Sequence, residues 1–252
     1  MSRFVRLCSL FFIAAFVAVG AHSEELIIYS AEAFPPQIYL ADGKPAGIVA
    51  VLLQRLSQDT GDTYKLILLP WKRAISEATE GHGGIVNFSR TEKRKLEFDF
   101  SEPLFKNAVE LTVLKQRAAE FRSARDFQGK IFGLPQGASF SGGFDQAVED
   151  KIYTIDPDAS PVIRVKKLLI GRIDVAILGQ SYIAHAAKSD PFIQENQNQL
   201  AIVTYPLITD WEYLAFPKSM HMQPALRRFN KALLALKKTK EYQAIVTVKM
   251  PN

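Results

Sequence analysis

The order of apolar and polar positions predicts an α/β chain. Leu26-Ile27-Ile28-Tyr29 is an unbroken apolar run of strand length, the signature of a strand buried on both faces. It ends at Ala31 to Pro36, where two consecutive prolines exclude a helix. Asp42-Gly43 marks a turn. Ile48, Val51, Leu52 and Leu56 recur at helical spacing over Ile48 to Gln58, and Gly61 stands where a left-handed residue closes a helix. Tyr64 to Leu69 predicts the next strand, Trp71 to Thr79 a short helix, and Ile85 to Phe88 and Leu111 to Leu114 two more strands. The second half repeats this rhythm. Asp126 caps a turn before Gly129, Ile131 to Leu134 is a strand, and Ser139 opens a helix. Helices are expected over Val162 to Ile170, stopped by Gly171, and over Gln180 to Lys188. Strands are expected at Ile173 to Leu178, Leu200 to Thr204 and Tyr213 to Phe216. Pro224 starts the last long helix, Ala225 to Lys238. Two similar halves without a low-complexity linker predict two lobes facing a cleft where strand ends and helix N-termini meet.

The first residues follow a different pattern. Met1 to Arg6 carries Arg3 and Arg6 with no acid, Leu7 to Gly20 is uncharged, and Ala21-His22-Ser23 puts small residues before a cut. A basic start, a short apolar run and a small-x-small end describe a secretory signal peptide over residues 1–23. The apolar run is about 14 residues, short of the roughly 20 that span a bilayer as a helix. No later stretch is long and apolar enough to span. The 252 residues are 48% hydrophobic and 23% charged, which excludes a disordered tail, a collagen-like fibre and a small disulfide scaffold. The single cysteine, Cys8, falls inside the signal, so the exported portion must hold together without disulfides. Loss of Arg3 and Arg6 takes the 31 basic residues to 29 against 26 acidic ones, a net charge of +3. The expected compartment is a bacterial periplasm.

Several chemistries are disfavoured. His22, His82, His185 and His221 are far apart and lack a partner four residues away, so no metal site is expected. Gly81-His82-Gly83-Gly84 is not followed by a helix bearing Lys-Ser or Lys-Thr, and is a turn rather than a phosphate loop. Arg90, Lys93, Arg94 and Lys95 are balanced by Glu92, Glu97 and Asp99, and Lys237, Lys238 and Lys240 complement a helix C-terminus, which argues against nucleic-acid binding. The informative stretch is Asn87-Phe88-Ser89-Arg90-Thr91-Glu92-Lys93-Arg94, followed by Phe98-Asp99-Phe100-Ser101-Glu102-Pro103. A strand ends at polar Asn87 and Ser89, and Arg94 follows within a turn. A guanidinium there can meet a carboxylate with two parallel hydrogen bonds. Spacing equally allows Arg94 to pair with Glu97 or Asp99 in a surface network.

Thr91-Glu92-Lys93-Arg94 and the Phe98 to Pro103 stretch resemble the T-x-x-R and F-S-x-P signature of bacterial periplasmic solute-binding proteins of the polar amino-acid type, family 3. Phe34-Pro35-Pro36, Asp42-Gly43 with Gly47, Pro70-Trp71-Lys72-Arg73-Ala74, Asp126 to Lys130 with Gln136-Gly137, Gly171-Arg172-Ile173-Asp174-Val175-Ala176 and Phe229 to Leu233 extend the resemblance over nearly the whole exported chain. It implies a two-lobed α/β fold of the type II periplasmic-binding-protein kind, with mixed sheets flanked by helices. Lobe 1 would be residues 24–109 plus 208–252 and lobe 2 residues 110–207, joined by two crossing strands. It further implies that Arg94 holds a ligand carboxylate, helped by Ser89 and by backbone N–H groups of a helix beginning near Ser139. Phe34 and Trp71 would stack on the ligand, Asn87 would line the same wall, and Phe88 and Phe140 complete the set beside Ser89 and Ser139. An acid that usually receives an α-amino group should follow the G-R-x-D strand, where this chain has Gly179 and then Gln180. A desolvated ammonium without a carboxylate partner is costly, so the expected ligand is a small carboxylate whose amine, if present, is met by Glu32 or Gln180.

The implied function is a non-enzymatic receptor, a monomer that hands its solute to an inner-membrane ABC permease and needs no cofactor. Two alternatives stand beside it: a ligand sensor for a signalling receptor, and an enzyme resembling the periplasmic cyclohexadienyl dehydratase, which needs a general acid in the cleft.

Overall fold

The computed structural model describes residues 24–140 and 143–247, so the expected signal peptide, residues 1–23, lies outside the described residues. The chain begins with β1 (Glu25–Ala31), β2 (Ala33–Phe34), β3 (Ile38–Ala41), β4 (Lys44–Ala46), α1 (Ile48–Thr60), β5 (Thr63–Leu69), α2 (Trp71–Thr79), β6 (Gly84–Ser89), α3 (Glu92–Glu97), β7 (Phe98–Phe100) and β8 (Phe105–Leu114). It continues with β9 (Ile131–Pro135), α4 (Phe144–Glu149), β10 (Thr154–Asp158), α5 (Pro161–Leu169), β11 (Val175–Ile177), α6 (Gln180–Ser189), α7 (Pro191–Asn196), β12 (Leu200–Pro217), α8 (Gln223–Leu236) and α9 (Lys240–Val246). The strands form one sheet in the order β10-β9-β11-β8-β12-β6-β1-β5, with β7 also on β12, and a small β2-β3-β4 sheet. β1 is parallel to β5 and β6, and β9 is parallel to β10 and β11. The two parallel groups are joined by the long antiparallel pair β8 and β12.

Alternation along each parallel strand covers both faces of the sheet. Ile28 packs with Leu52, Leu56, Phe229 and Leu233 of α1 and α8, while its neighbour Tyr29 packs with Ala74 and Ala78 of α2. In the other half Val175 joins Phe127, Phe132 and Phe144, and Ala176 joins Val165, Leu168 and Ile183. Each fully buried leucine or phenylalanine contributes about 2 kcal/mol of transfer free energy. Gly61 closes α1 at φ 76°, its N–H on the Ser57 carbonyl at 2.9 Å, as the sequence pattern predicts.

One break in the alternation shapes the site. Leu214 pairs with Val86 and Tyr213 with Phe88, leaving Asn87 as the extra residue of a β-bulge, with a left-handed φ of 57°. Val86 and Phe88 therefore fall into cores on opposite faces, although an unbroken strand would turn them the same way.

Three sequence expectations need correction. The strands expected at Leu200 to Thr204 and Tyr213 to Phe216 are one 18-residue strand, β12. Pro206, which would break a regular ladder, falls in the register shift between Val203 and Ile208, where no paired N–H is required. Ser139 does not open a helix: α4 begins at Phe144 after Gly143, and the Asp145 carboxylate accepts from the Ser139 hydroxyl and, at 2.9 Å, from the Phe140 N–H. Asp126 is not the first cap of its turn. Ser123 is, and Asp126 accepts back from the Ser123 N–H at 2.7 Å.

Candidate functional site

The carboxyl ends of six parallel strands meet at one cavity. Ala31, Ser89, Pro135 and Ile177, the last residues of β1, β6, β9 and β11, line it, as do Pro70 and Ala159, which follow β5 and β10. Such a crevice is where open α/β sheets leave a ligand-sized space between divergent connections. The space there, open solvent at its mouth included, is about 890 Å³. The helices α2 and α5 start at its rim, α5 with Ser160 as N-cap and Pro161 in its first turn.

Eight of the ten residues singled out from sequence lie in this wall: Glu32, Phe34, Trp71, Asn87, Ser89, Arg94, Ser139 and Phe140. Two do not. Phe88 is 1% exposed and lies beneath the wall, its ring carrying the Arg94 guanidinium 3.8 Å from its centroid. Gln180 is exposed and outside the wall, its backbone N–H donating to the Glu110 carboxylate at 3.1 Å. That carboxylate explains position 179 as well. A Cβ added to Gly179 would lie 1.8 Å from Glu110 Oε2, so an acid of β8 fills the space above the glycine.

Arg94 is held by backbone carbonyls and an aromatic ring, without an ion pair among the described residues. Thr91 caps α3 and accepts the Arg94 N–H. The guanidinium donates to the Ser89 carbonyl at 3.0 Å and to the Gly137 carbonyl, across the cavity, at 3.3 Å. It makes no ion pair among the described residues, and Asp99, one of the partners spacing allowed, instead accepts from Gln223 at 2.6 Å. Burial pulls the guanidinium down to about 10, with Asp145, Glu212 and Asp210 opposing that shift, so it is cationic at neutral pH. Phe34 meets Tyr182 of α6 at a ring distance of 5.5 Å across the same cavity, and Trp71 packs edge-on to Phe88 at 6.1 Å.

Four charged or polar wall residues escaped the sequence reading: Ser160, the N-cap of α5, and Arg164, Tyr182 and Glu212. Arg164, 2% exposed, is clamped by Asp158 at 2.8 and 3.0 Å and by the Ile177 carbonyl at 2.8 Å. Its signal was a basic residue on the stripe of α5 that also carries Val165 and Leu168. Tyr182, whose hydroxyl is raised well above its ordinary range by burial, stands among the apolar positions of α6. Glu212 of β12 is 4% exposed; Asn107 Nδ2 donates to its Oε1 at 3.0 Å, and its Oε2 has no partner among the described residues. Burial, reinforced by Asp210, pushes the Glu212 carboxyl up to about 7. Its signal was a lone acid within the apolar run Trp211 to Phe216. Among the described residues no group of three or more His, Cys, Asp and Glu is placed to hold a metal, and no helix is long and apolar enough to cross a membrane.

Comparison with known proteins gives a consistent picture. The family of bacterial extracellular solute-binding proteins, family 3, matches residues 26–248. The L-cystine-binding protein TcyJ of Escherichia coli K12 is 24% identical over 149 residues, which cover 58% of this chain and 55% of that protein, so the match spans about half of the curated relative. An ancestral arginine-binding protein bound to arginine superposes with a TM-score of 0.70 at 21% identity, covering 88% of this chain and 96% of the other. The arginine-, lysine-, histidine-binding protein ArtJ of Geobacillus stearothermophilus gives 0.69 at 22% identity, over 90% and 97%. A histidine kinase sensor domain similar to periplasmic binding proteins gives 0.69 at 20% identity, over 88% and 94%. At these identities the structures establish the fold, that of type II periplasmic binding proteins.

Proposed function

The chain belongs to the bacterial extracellular solute-binding proteins of family 3, and from that membership we propose that it is a periplasmic receptor for a small, amino-acid-like carboxylate, which it delivers to an ABC permease without catalysing a reaction. The observation that carries the reading is Arg94: a half-buried cation in the cavity wall, stacked on Phe88, hydrogen-bonded to two backbone carbonyls and in no ion pair among the described residues. A ligand carboxylate is the partner such a cation lacks. The lobes of this reading are residues 24–109 plus 208–252 and residues 110–207. β8 and β12 are its hinge, since both run through the two halves and their ladder is interrupted between Val203 and Ile208. Closure about these strands would enclose the ligand between Phe34 and Trp71 on one side and the Ser139 segment on the other.

Isothermal titration of the chain from residue 24 with L-amino acids and with 2-oxo acids tests the proposal. Arg94→Ala is expected to weaken the best ligand by about 10- to 100-fold, the worth of hydrogen bonds to a charged group. Unchanged affinity would overturn the anchor. Appearance of the aromatic product's ultraviolet absorbance on incubation with prephenate or arogenate would instead favour the dehydratase reading. The likeness to a histidine kinase sensor domain supports a second reading, in which the same closure is read by a signalling partner.

A further inference from the structure

Charge is unevenly divided along the chain. Residues 218–252 hold eight basic residues and one acid, Glu241, whereas residues 24–217 hold 21 basic residues and 25 acids. The closing stretch therefore carries a net charge of +7 and the stretch before it −4. Such an asymmetry points to a polyanionic partner. The fold gathers much of the excess on one face. Arg227, Lys231 and Leu234 of α8, with Lys238 in the turn after it, are all exposed and follow at helical spacing. At about 100° per residue they fall within an arc of about 60°, one line along the solvent side of the helix. Lys240, exposed as well, is the first residue of α9.

The side chains of these four cations have no ion pair or hydrogen bond among the described residues. The acids near them are already engaged. Asp59 and Glu241 hold Arg55 at 2.7 and 3.0 Å, and Glu24 and Asp62 hold Arg228 at 2.8 and 3.0 Å. The groove between α1 and α8, which Arg55, Arg228 and Lys231 line, is thus left with Lys231 as its one unpaired cation among the described residues, too little to fix a single anion. Nor do the three lysines that sequence placed at a helix C-terminus share that role. Lys237 turns inward and donates to the Pro103 carbonyl. Lys238 follows α8, where the helix dipole favours it, but Lys240 opens α9, where the dipole opposes a cation. Local electrostatics gives no reason for Lys240.

A folded protein partner would need an apolar core at its interface, and such interfaces are poor in lysine. Here three of the four unpaired cations are lysines, on long side chains that no neighbour fixes, with Leu234 the one large apolar side chain in their line. That arrangement matches a plane of mobile negative charge. We propose that α8 and the start of α9 form a docking face for the surface of an anionic phospholipid bilayer, which holds the chain against a membrane. No residue of α8 or α9 lines the cavity, so docking leaves the solute site open and does not depend on what binds there. Each lysine or arginine close to an anionic surface raises partitioning about fivefold, and the four together by about 500-fold. The attraction is screened by salt, since the Debye length shrinks from about 30 Å at 0.01 M to about 10 Å at 0.1 M.

The test is co-sedimentation of the chain from residue 24 with vesicles of phosphatidylglycerol and phosphatidylcholine in equal parts, and with vesicles of phosphatidylcholine alone. The chain is expected to bind the anionic vesicles at about 20 mM salt, at least about fivefold more weakly at about 150 mM, and to leave phosphatidylcholine in the supernatant. Arg227→Gln with Lys231→Gln should lower partitioning about 25-fold, and Lys238→Gln with Lys240→Gln added should bring it down to the phosphatidylcholine level. Lys115→Gln, Lys151→Gln and Lys188→Gln together remove three exposed cations from residues 110–207 and should change it by less than about twofold. All the substituted side chains are exposed, and unchanged thermal midpoints confirm that each variant is folded. Absence of binding to anionic vesicles at low salt would overturn the proposal, as would equal binding to phosphatidylcholine. A loss in the triple variant as large as in the α8 variants would show attraction by overall charge and overturn the face. Binding of soluble polyglutamate without binding of vesicles would overturn the bilayer in favour of an acidic protein.

Discussion

Glu212→Gln should make the ligand-free protein more stable, and by an amount that depends on pH. The native carboxyl sits at about 7 where its ordinary value is 4.5, raised chiefly by burial. Below pH 4.5 both folded and unfolded chains hold the proton, and the residue has no titration effect on stability. Between 4.5 and 7 the unfolded chain releases its proton while the native state retains it, so stability falls as pH rises. Above 7 the deficit is complete. At 1.36 kcal/mol for each tenfold change in proton affinity, it amounts to about 3 kcal/mol. Glutamine keeps an oxygen for Asn107 Nδ2 and carries no charge, so the variant escapes this loss. Urea denaturation at pH 4.5, 6, 7 and 8 measures it. The stability of the variant relative to the parent should grow by about 3 kcal/mol from pH 4.5 to 8, a difference of about 6–12 °C in midpoint for a chain of this size. Two curves that stay parallel across this range, within about 0.5 kcal/mol, would refute the reasoning, because a carboxylate in real contact with water has no such deficit.

Two further outcomes are expected. Arg164→Met leaves Asp158, whose side chain has 0% exposure, without its counter-charge and should cost about 3–5 kcal/mol in thermal unfolding, while Arg164→Met with Asp158→Leu recovers most of the loss because no charge is then stranded. Gly179→Ala places a methyl 1.8 Å from Glu110 Oε2 and expels that carboxylate from the Gln180 N–H, costing about 1 kcal/mol; in a Glu110→Ala background a urea-unfolding cycle should show a smaller penalty.

Much of the fold was legible because buried parallel strands read as uninterrupted apolar runs. β1 and β9 contain the runs Leu26 to Tyr29 and Ile131 to Leu134, the edge strand β5 keeps most of such a run in spite of Lys65, and α1 and α2 carry ordinary helical spacing. The hairpins of β2, β3 and β4 were missed because strands of two to four residues carry too few positions for a period to appear. β12 reads from sequence as two strands, Leu200 to Thr204 and Tyr213 to Phe216, because the stretch between them holds Pro206 and polar Thr209 and Asp210, and only the structure shows that the proline falls in a register shift. Ser139 has the chemistry of a cap, but Asp145, six residues on, takes its hydroxyl. The site divides along similar lines. Arg94, Asn87 and Ser89 stand in a local motif, whereas Glu212 gains its meaning from Asn107, 105 residues away, and from burial that only the assembled sheet provides.

β12 lies between β8 and β6, and among the described residues no other strand bridges them. Until residues 200–217 exist, the chain holds two unconnected sets of strands, β5-β1-β6 and β10-β9-β11-β8. A ribosome has by then made about four-fifths of the 252 residues. Contacts as distant as Asn107 with Glu212 must wait for that segment, and long-range closure slows folding. The keystone strand is synthesised late, so the nascent polypeptide stays free of its final topology, and open to threading through a channel, for most of its synthesis.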